Sequence, residues 1–210
     1  MKRTQEWVVV RIDERIAAIS TDYAALAAIT AKLAQQKSPA YKKITAETIG
    51  FDEVWEIRKR ATWEDLMLFG TDFQKKVWKK LWGLTHPQTE DTMQTESRTE
   101  ETGRQEQTGG TKRQVISYSD FAEFCENRAG VRAVAHAIGL NPIPVVIPCH
   151  LVVPKESIDR IREIQRKAEA TIFKGADLCL SSILSDTTID FGEYSLGKSL
   201  KRDLISLDLA

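Results

Sequence analysis

Cysteine, histidine and proline are scarce in this chain: its 210 residues hold three Cys, three His and six Pro. Each shortage closes off a class of protein. The thiols at Cys125, Cys149 and Cys179 are odd in number and far apart, which suits neither a disulfide framework nor the close pairs of a structural zinc site. No apolar core follows Met1 to make a secretory signal, and no apolar run approaches the ~20 residues needed to cross a bilayer. The expectation is a protein of the reducing cytoplasm with no membrane role. Charge of one sign is missing too. Thirty basic side chains meet 30 acidic ones, so any affinity for nucleic acid has to come from a local patch and from shape. What remains, 42% hydrophobic and 29% charged, is ordinary globular composition, long enough for one large or two small domains.

One short run stands out. Asn141-Pro142-Ile143-Pro144 leads through Val145-Val146 into Ile147-Pro148-Cys149-His150. Pro144 and Pro148 each remove a backbone donor and push the preceding residue toward extended geometry, so Val145–Ile147 reads as a short buried strand delivering Cys149 to a pocket. A solitary cysteine is ordinarily a small buried hydrophobe. It becomes a nucleophile only as the thiolate, so Cys149 needs a base or a positive neighbour, and His150 is the adjacent supplier.

The rest of the pattern reads mostly as scaffold. Glu6–Ile12 suits a strand, and Ser20-Thr21-Asp22 caps an Ala-rich helix with Tyr23, Leu26, Ile29 and Leu33 on one face. Residues 38–70 form a mixed α/β piece. Thr71-Asp72 caps a helix over Phe73–Trp82 in which Phe73, Val77, Trp78 and Leu81 face the core and four lysines face water. Residues 84–113 are polar and cannot bury enough surface to offset their ordering entropy, so they read as a mobile insertion. Tyr118–Cys125 and Val131–Gly139 have helix-turn-helix spacing, which also serves plain packing. A second inserted stretch, 155–190, holds an amphipathic helix at 158–170 and an apolar segment at 176–184. A final helix covers 198–207.

Together, Thr71-x-Phe73-Gln74-x-x-Val77-Trp78, Ser117-Tyr118, Val131-Arg132-Ala133-Val134, Asn141-Pro142 and Pro148-Cys149-His150 resemble the O6-alkylguanine-DNA alkyltransferases, also called methylated-DNA-protein-cysteine methyltransferases. The likeness covers most of residues 71–154 and returns at Gly192–Gly197. The family hallmark is Pro-Cys-His-Arg-Val; here Leu151 replaces the arginine. The resemblance implies an α/β protein: a small mixed α/β N-terminal domain, 1–70, and a mostly helical, winged-helix-like alkyltransferase domain, 71–210, carrying both insertions. It implies DNA repair by irreversible, single-turnover transfer of a methyl or alkyl group from O6-alkylguanine, with O4-alkylthymine as a further lesion, to Cys149. It further implies a double-stranded DNA partner, a monomer, and no need of a cofactor or metal.

The same resemblance assigns roles. Cys149, a bridging water, His150 and a carboxylate form a relay in which Asp208 stands where relatives have Glu, with Asp203 as the competing candidate. Tyr118 presses on the target phosphate and protonates the leaving guanine at N3. Because the lesion lies inside the duplex, its nucleotide must be rotated out. Arg132 then fills the stack, while Ala133 and Ala135 allow close approach to the minor groove and His136 is bulkier than its counterpart. Asn141 ties the second helix to the cysteine segment, and Tyr194 and Ser195 wall the base pocket. Losing an arginine at Leu151 removes positive charge that would favour the thiolate. Two rival readings remain: an alkyltransferase-like module that binds damaged DNA without transfer, and a winged-helix regulator.

Overall fold

Trp7-Val8-Val9-Val10 sets bulky β-formers side by side, and they become the centre of a sheet. In the computed structural model, which describes residues 5–23, 27, 43–86, 115–170, 183, 186 and 188–209, β1 (Trp7–Ile12) lies between β2 (Arg15–Ser20) and β3 (Ile44–Ile49), both antiparallel to it. Asp13 and Glu14 close the β1–β2 turn with φ of 48° and 68°, the left-handed pair that matches strand twist. The sequence pattern left β2 unassigned; its Ile16-Ala17-Ala18-Ile19 run is buried on both faces.

Helix α1 (Phe51–Arg60) starts where the Gly50 N–H donates to Glu53 Oε2 at 2.8 Å. Acid in its first turn and base in its last complement the helix dipole. Its buried face is Phe51, Val54 and Arg58. Helix α2 (Asp72–Gly83) has its expected cap at Thr71, which forms a full capping box, Gln74 N–H to Thr71 Oγ1 at 3.2 Å and Thr71 N–H to Gln74 Oε1 at 2.9 Å. Val77, Trp78, Leu81 and Trp82 are buried. Phe73, expected in the core, is 37% exposed, because it sits on that stripe one turn before the packed stretch begins. Three of the four lysines face water, while Lys80 is half-buried with its ammonium 4.7 Å from the Phe124 ring.

Ser117 caps α3 (Tyr118–Phe124) by accepting from the Asp120 N–H at 3.1 Å, and a 3-10 turn at Arg128–Gly130 leads into α4 (Val131–Gly139). Helix α4 is tied to α2 where the Trp78 indole donates to Ala137 O at 2.8 Å. The expected strand at Val145–Ile147 is absent. Val145 has φ 73°, and the Ile147 N–H turns back to Ile143 O at 2.9 Å, because three prolines in 142–148 remove the donors a ladder needs. A two-residue strand, β5 (Val152–Val153), follows the cysteine instead and runs parallel to β4 (Ile116–Ser117).

After Pro154, α5 (Lys155–Ala170) starts three residues earlier than its pattern suggested and buries Ile158 and Ile161. Helix α6 (Lys198–Leu209) closes the fold. One apolar cluster joins Trp7, Val54, Trp78, Val134, Cys149 and Leu204 and so draws on both halves of the chain, while Val153, Ile158, Ile161, Phe191 and Ile205 belong to a separate cluster. The architecture is mixed α/β, with a small sheet and several helices. Leu26, Ile29, Leu33, residues 87–113 and Cys179 lie outside the described residues, as does 176–184 apart from Ile183. Among the described residues no helix is long and apolar enough to cross a membrane.

Candidate active site

The loop from Asn141 to Cys149 is held by one side chain. Asn141 Nδ2 donates to Ile147 O at 2.9 Å and to Cys149 Sγ at 3.0 Å, and its Oδ1 accepts the Ile143 N–H at 3.1 Å. The amide thus replaces the ladder bonds that the prolines forbid and touches the sulfur as well. From outside, β2 grips the same loop through the Ile19 N–H to Pro142 O, 2.9 Å. Cys149 opens a 3-10 turn, Cys149–Leu151, that carries His150 and Leu151 inward. Cys149 and His150 are 4% and 0% exposed, and Leu151 is fully buried.

His150 Nε2 donates to Asp208 Oδ2 at 2.6 Å. Asp208, near the end of α6, is therefore the carboxylate hydrogen-bonded to the imidazole, not Asp203 a turn earlier. Arg58 clamps the same carboxylate with both nitrogens, at 2.9 Å to Oδ2 and 2.8 Å to Oδ1. A bidentate pair of this kind is strong and geometrically specific. Sequence reading missed Arg58, which comes from α1 and lies 150 residues away. The backbone of Arg58 is held in turn, since His86 Nε2 donates to its carbonyl at 2.9 Å and the His86 ring stacks on Trp82 with centroids 3.6 Å apart.

Burial sets the protonation states. It raises the Cys149 pKa, against the lowering effects of Asn141, Tyr194 and Lys201. Burial also lowers His150 to about 4, opposed by its bond to Asp208 and assisted by the Arg58 charge. Desolvation would raise Asp208, but His150 and Arg58 outweigh it and the carboxyl stays below its usual range. The resting triad is thus a thiol, a neutral imidazole and a carboxylate. With Nε2 donating, Nδ1 carries the lone pair, and among the described residues it has no hydrogen-bond partner. Tyr118 is raised by burial, then by Cys149 and Glu193, which keeps its phenol protonated. The Tyr194 hydroxyl is buried without a hydrogen bond of standard geometry, yet it lies close enough to Cys149 for each to shift the other's acidity. Its ring meets His150 edge-on, 6.4 Å between centroids.

Asn141, Cys149, His150, Asp208 and Tyr194 thus come together, with Tyr118 beside them. Arg132 and Ala133 face solvent on α4 with His136 one turn on, Ala135 is half-buried, and Ser195 is exposed in the Tyr194–Gly197 turn. An open groove of about 490 Å³ lies elsewhere, lined by Arg11, Glu14, Asp52, Glu56 and Arg60 among others, and includes no member of this cluster. Among the described residues no group of His, Cys, Asp and Glu is placed to hold a metal.

Acid should loosen this arrangement. His150 binds its proton near pH 6.5 when unfolded but near 4 when folded, so its contribution is intact above about 6.5 and is lost as pH falls toward 4. Asp208, depressed below 3.8, adds a loss of the same sign at lower pH. Urea midpoints are expected to fall from about pH 7.5 through 6 to 5; a midpoint flat across that window would contradict the buried neutral imidazole.

Residues 111–170 match the family described as the DNA binding domain of 6-O-methylguanine DNA methyltransferase. The chain is 36% identical over 93 residues to a probable methylated-DNA–protein-cysteine methyltransferase of Acanthamoeba polyphaga mimivirus, covering 44% of this chain and 45% of that one. It is 34% identical over 86 residues to the inducible methylated-DNA–protein-cysteine methyltransferase of Bacillus subtilis, covering 41% and 34%. It therefore spans less than half the length of these relatives. A solved structure of the Mycobacterium tuberculosis O6-methylguanine methyltransferase is similar over 96% of this chain and 93% of that one, at 15% identity and a TM-score of 0.47.

Proposed function

We propose that this protein, whose residues 111–170 match the family described as the DNA binding domain of 6-O-methylguanine DNA methyltransferase, repairs DNA by moving an alkyl group from O6 of guanine to Cys149. The observation that carries this reading is the sulfur itself, fixed by Asn141 and followed by a neutral imidazole that a carboxylate orients through Nε2. In the reaction the thiol proton passes through a bridging water to His150 Nδ1. The thiolate attacks the alkyl carbon in line, the S–C bond forms and the C–O6 bond breaks. Guanine leaves with a proton from Tyr118, which recovers one from the His150 side through solvent, so the net change is thiol plus ether to thioether plus guanine. A thioether has no leaving tendency, so each molecule acts once.

Helices α3 and α4 serve as the DNA-binding pair, with the exposed stripe of Arg132, Ala133 and His136 against the minor groove and Arg132 in the space of the extruded base. Tyr194 and Ser195 contact that base. A binding-only role is not favoured, because a module that transfers nothing has no use for an oriented imidazole beside a thiol.

Arg132→Ala tests the extrusion step. Transfer from duplex should slow by at least about tenfold, since unstacking the base costs a few kcal/mol. Reaction with free O6-benzylguanine should stay within about twofold, as expected for a surface change remote from the sulfur. Equal losses on the two substrates would contradict the assignment.

A further inference from the structure

Helix α6 carries a second buried charge that the mechanism above does not use. Lys201 is 0% exposed. Its ammonium donates to Val152 O at 2.8 Å and to Glu193 O at 3.4 Å, and lies 5.7 Å from the centre of the Tyr118 ring. Among the described residues no carboxylate forms an ion pair with it. Asp190 and Glu193, the acids whose charge reaches it, are exposed and bridged by Lys198 at 3.4 and 2.8 Å. A buried cation without a counter-ion is unfavourable unless an anion appears beside it. The carbonyl it holds belongs to Val152, three residues past the reactive sulfur, and Leu151 in between is apolar where the family hallmark has arginine.

We propose that Lys201 is the electrostatic support of the reactive sulfur: its ammonium stabilises the Cys149 thiolate as that anion forms, supplying from α6 the charge that Leu151 lacks. The inference rests on the transfer chemistry proposed above. Other groups around the sulfur do not fill this role. Asn141 offers one neutral donor, Tyr118 and Tyr194 are protonated phenols, His150 is neutral, and the Arg58 charge is matched by Asp208. Lys201 is lowered to about 8 by burial, with Cys149, Asp190 and Glu193 pulling it back up, so it is charged at neutral pH. Lys201 in turn lowers Cys149.

The test uses the full chain and iodoacetamide, with alkylation of Cys149 read by peptide mass spectrometry across the pH range and folding checked by thermal unfolding. Lys201→Gln keeps a donor for Val152 O without the charge, and Lys201→Arg keeps the charge. Gln should move the reactivity midpoint up by about one pH unit, about tenfold less thiolate at neutral pH, and Arg should restore most of it. An unshifted Gln profile, or equal shifts in both variants, would overturn the proposal. Should Gln fail to fold, Lys201 itself is followed by NMR in otherwise native protein: Cys149→Ser, which cannot supply the anion, should lower the pH at which Lys201 deprotonates, and an unchanged titration would overturn it. An unshifted profile beside intact transfer from DNA defeats this inference alone. A shifted profile without transfer defeats only the repair reading.

Discussion

Cys149→Ser is expected to abolish alkyl transfer to the protein while leaving DNA affinity within about twofold, as for a buried near-isosteric change that leaves the surface intact. The reason is acidity, not shape. A serine hydroxyl can occupy the site and accept the Asn141 amide, but it is far harder to ionise than a thiol. Among the described residues the adjacent base is the His150 imidazole, which burial has lowered to about 4. Such a base cannot draw a proton from an alcohol at a useful rate. Single-turnover transfer from labelled DNA, with affinity measured by anisotropy, separates the two quantities. Residual transfer in the serine variant would place the acceptor elsewhere, and Cys125 offers no alternative: it is buried and raised to about 11, chiefly by desolvation.

Arg58→Leu should produce the second large effect, on stability and on rate together. The Arg58–Asp208 pair is almost fully dry, with side chains 3% and 0% exposed. Removing one member of such a pair leaves a buried charge uncompensated and typically costs about 3–5 kcal/mol. Without its clamp Asp208 no longer fixes Nε2 of His150, and transfer should slow by about 10- to 100-fold in the fraction that stays folded. Adding Asp208→Asn removes the stranded charge, so the double variant should recover part of the stability but not the rate. Urea unfolding and single-turnover kinetics on the singles and the double close the cycle. A double variant as unstable as Arg58→Leu would contradict the uncompensated-charge account.

How much of this was legible in the sequence depended on how local each signal was. Cys149 and His150 are neighbours between prolines, and the caps at Thr71 and Ser117 are written within four residues, so all were readable. The strand expected at Val145–Ile147 failed because its extended bias came from the same prolines that deny it partners, and Asn141 takes over the bonding. Ile16–Ile19 went unassigned because burial on both faces erases the alternation that marks a strand. Arg58 was hidden in Arg58-Lys59-Arg60, which reads as a solvated last turn suited to the helix dipole. One clue was available: Phe51, Val54 and Arg58 are spaced i, i+3, i+7, so the arginine occupies a core position of its own helix. Lys201, Leu204, Ile205 and Asp208 repeat that pattern on α6. A charge on an apolar stripe marks a buried partner, but its identity depends on long-range packing that no local pattern encodes.

The proposed repair consists of one event, carbon leaving guanine for one sulfur. Incubating the full chain with duplex DNA bearing O6-methylguanine, then mapping peptides by mass spectrometry, reads this directly. The prediction is one methyl group per protein molecule, located on Cys149, with the guanine restored and no second turnover. Protein that binds the duplex yet keeps Cys149 unmodified, or that carries the methyl on another residue, would contradict it.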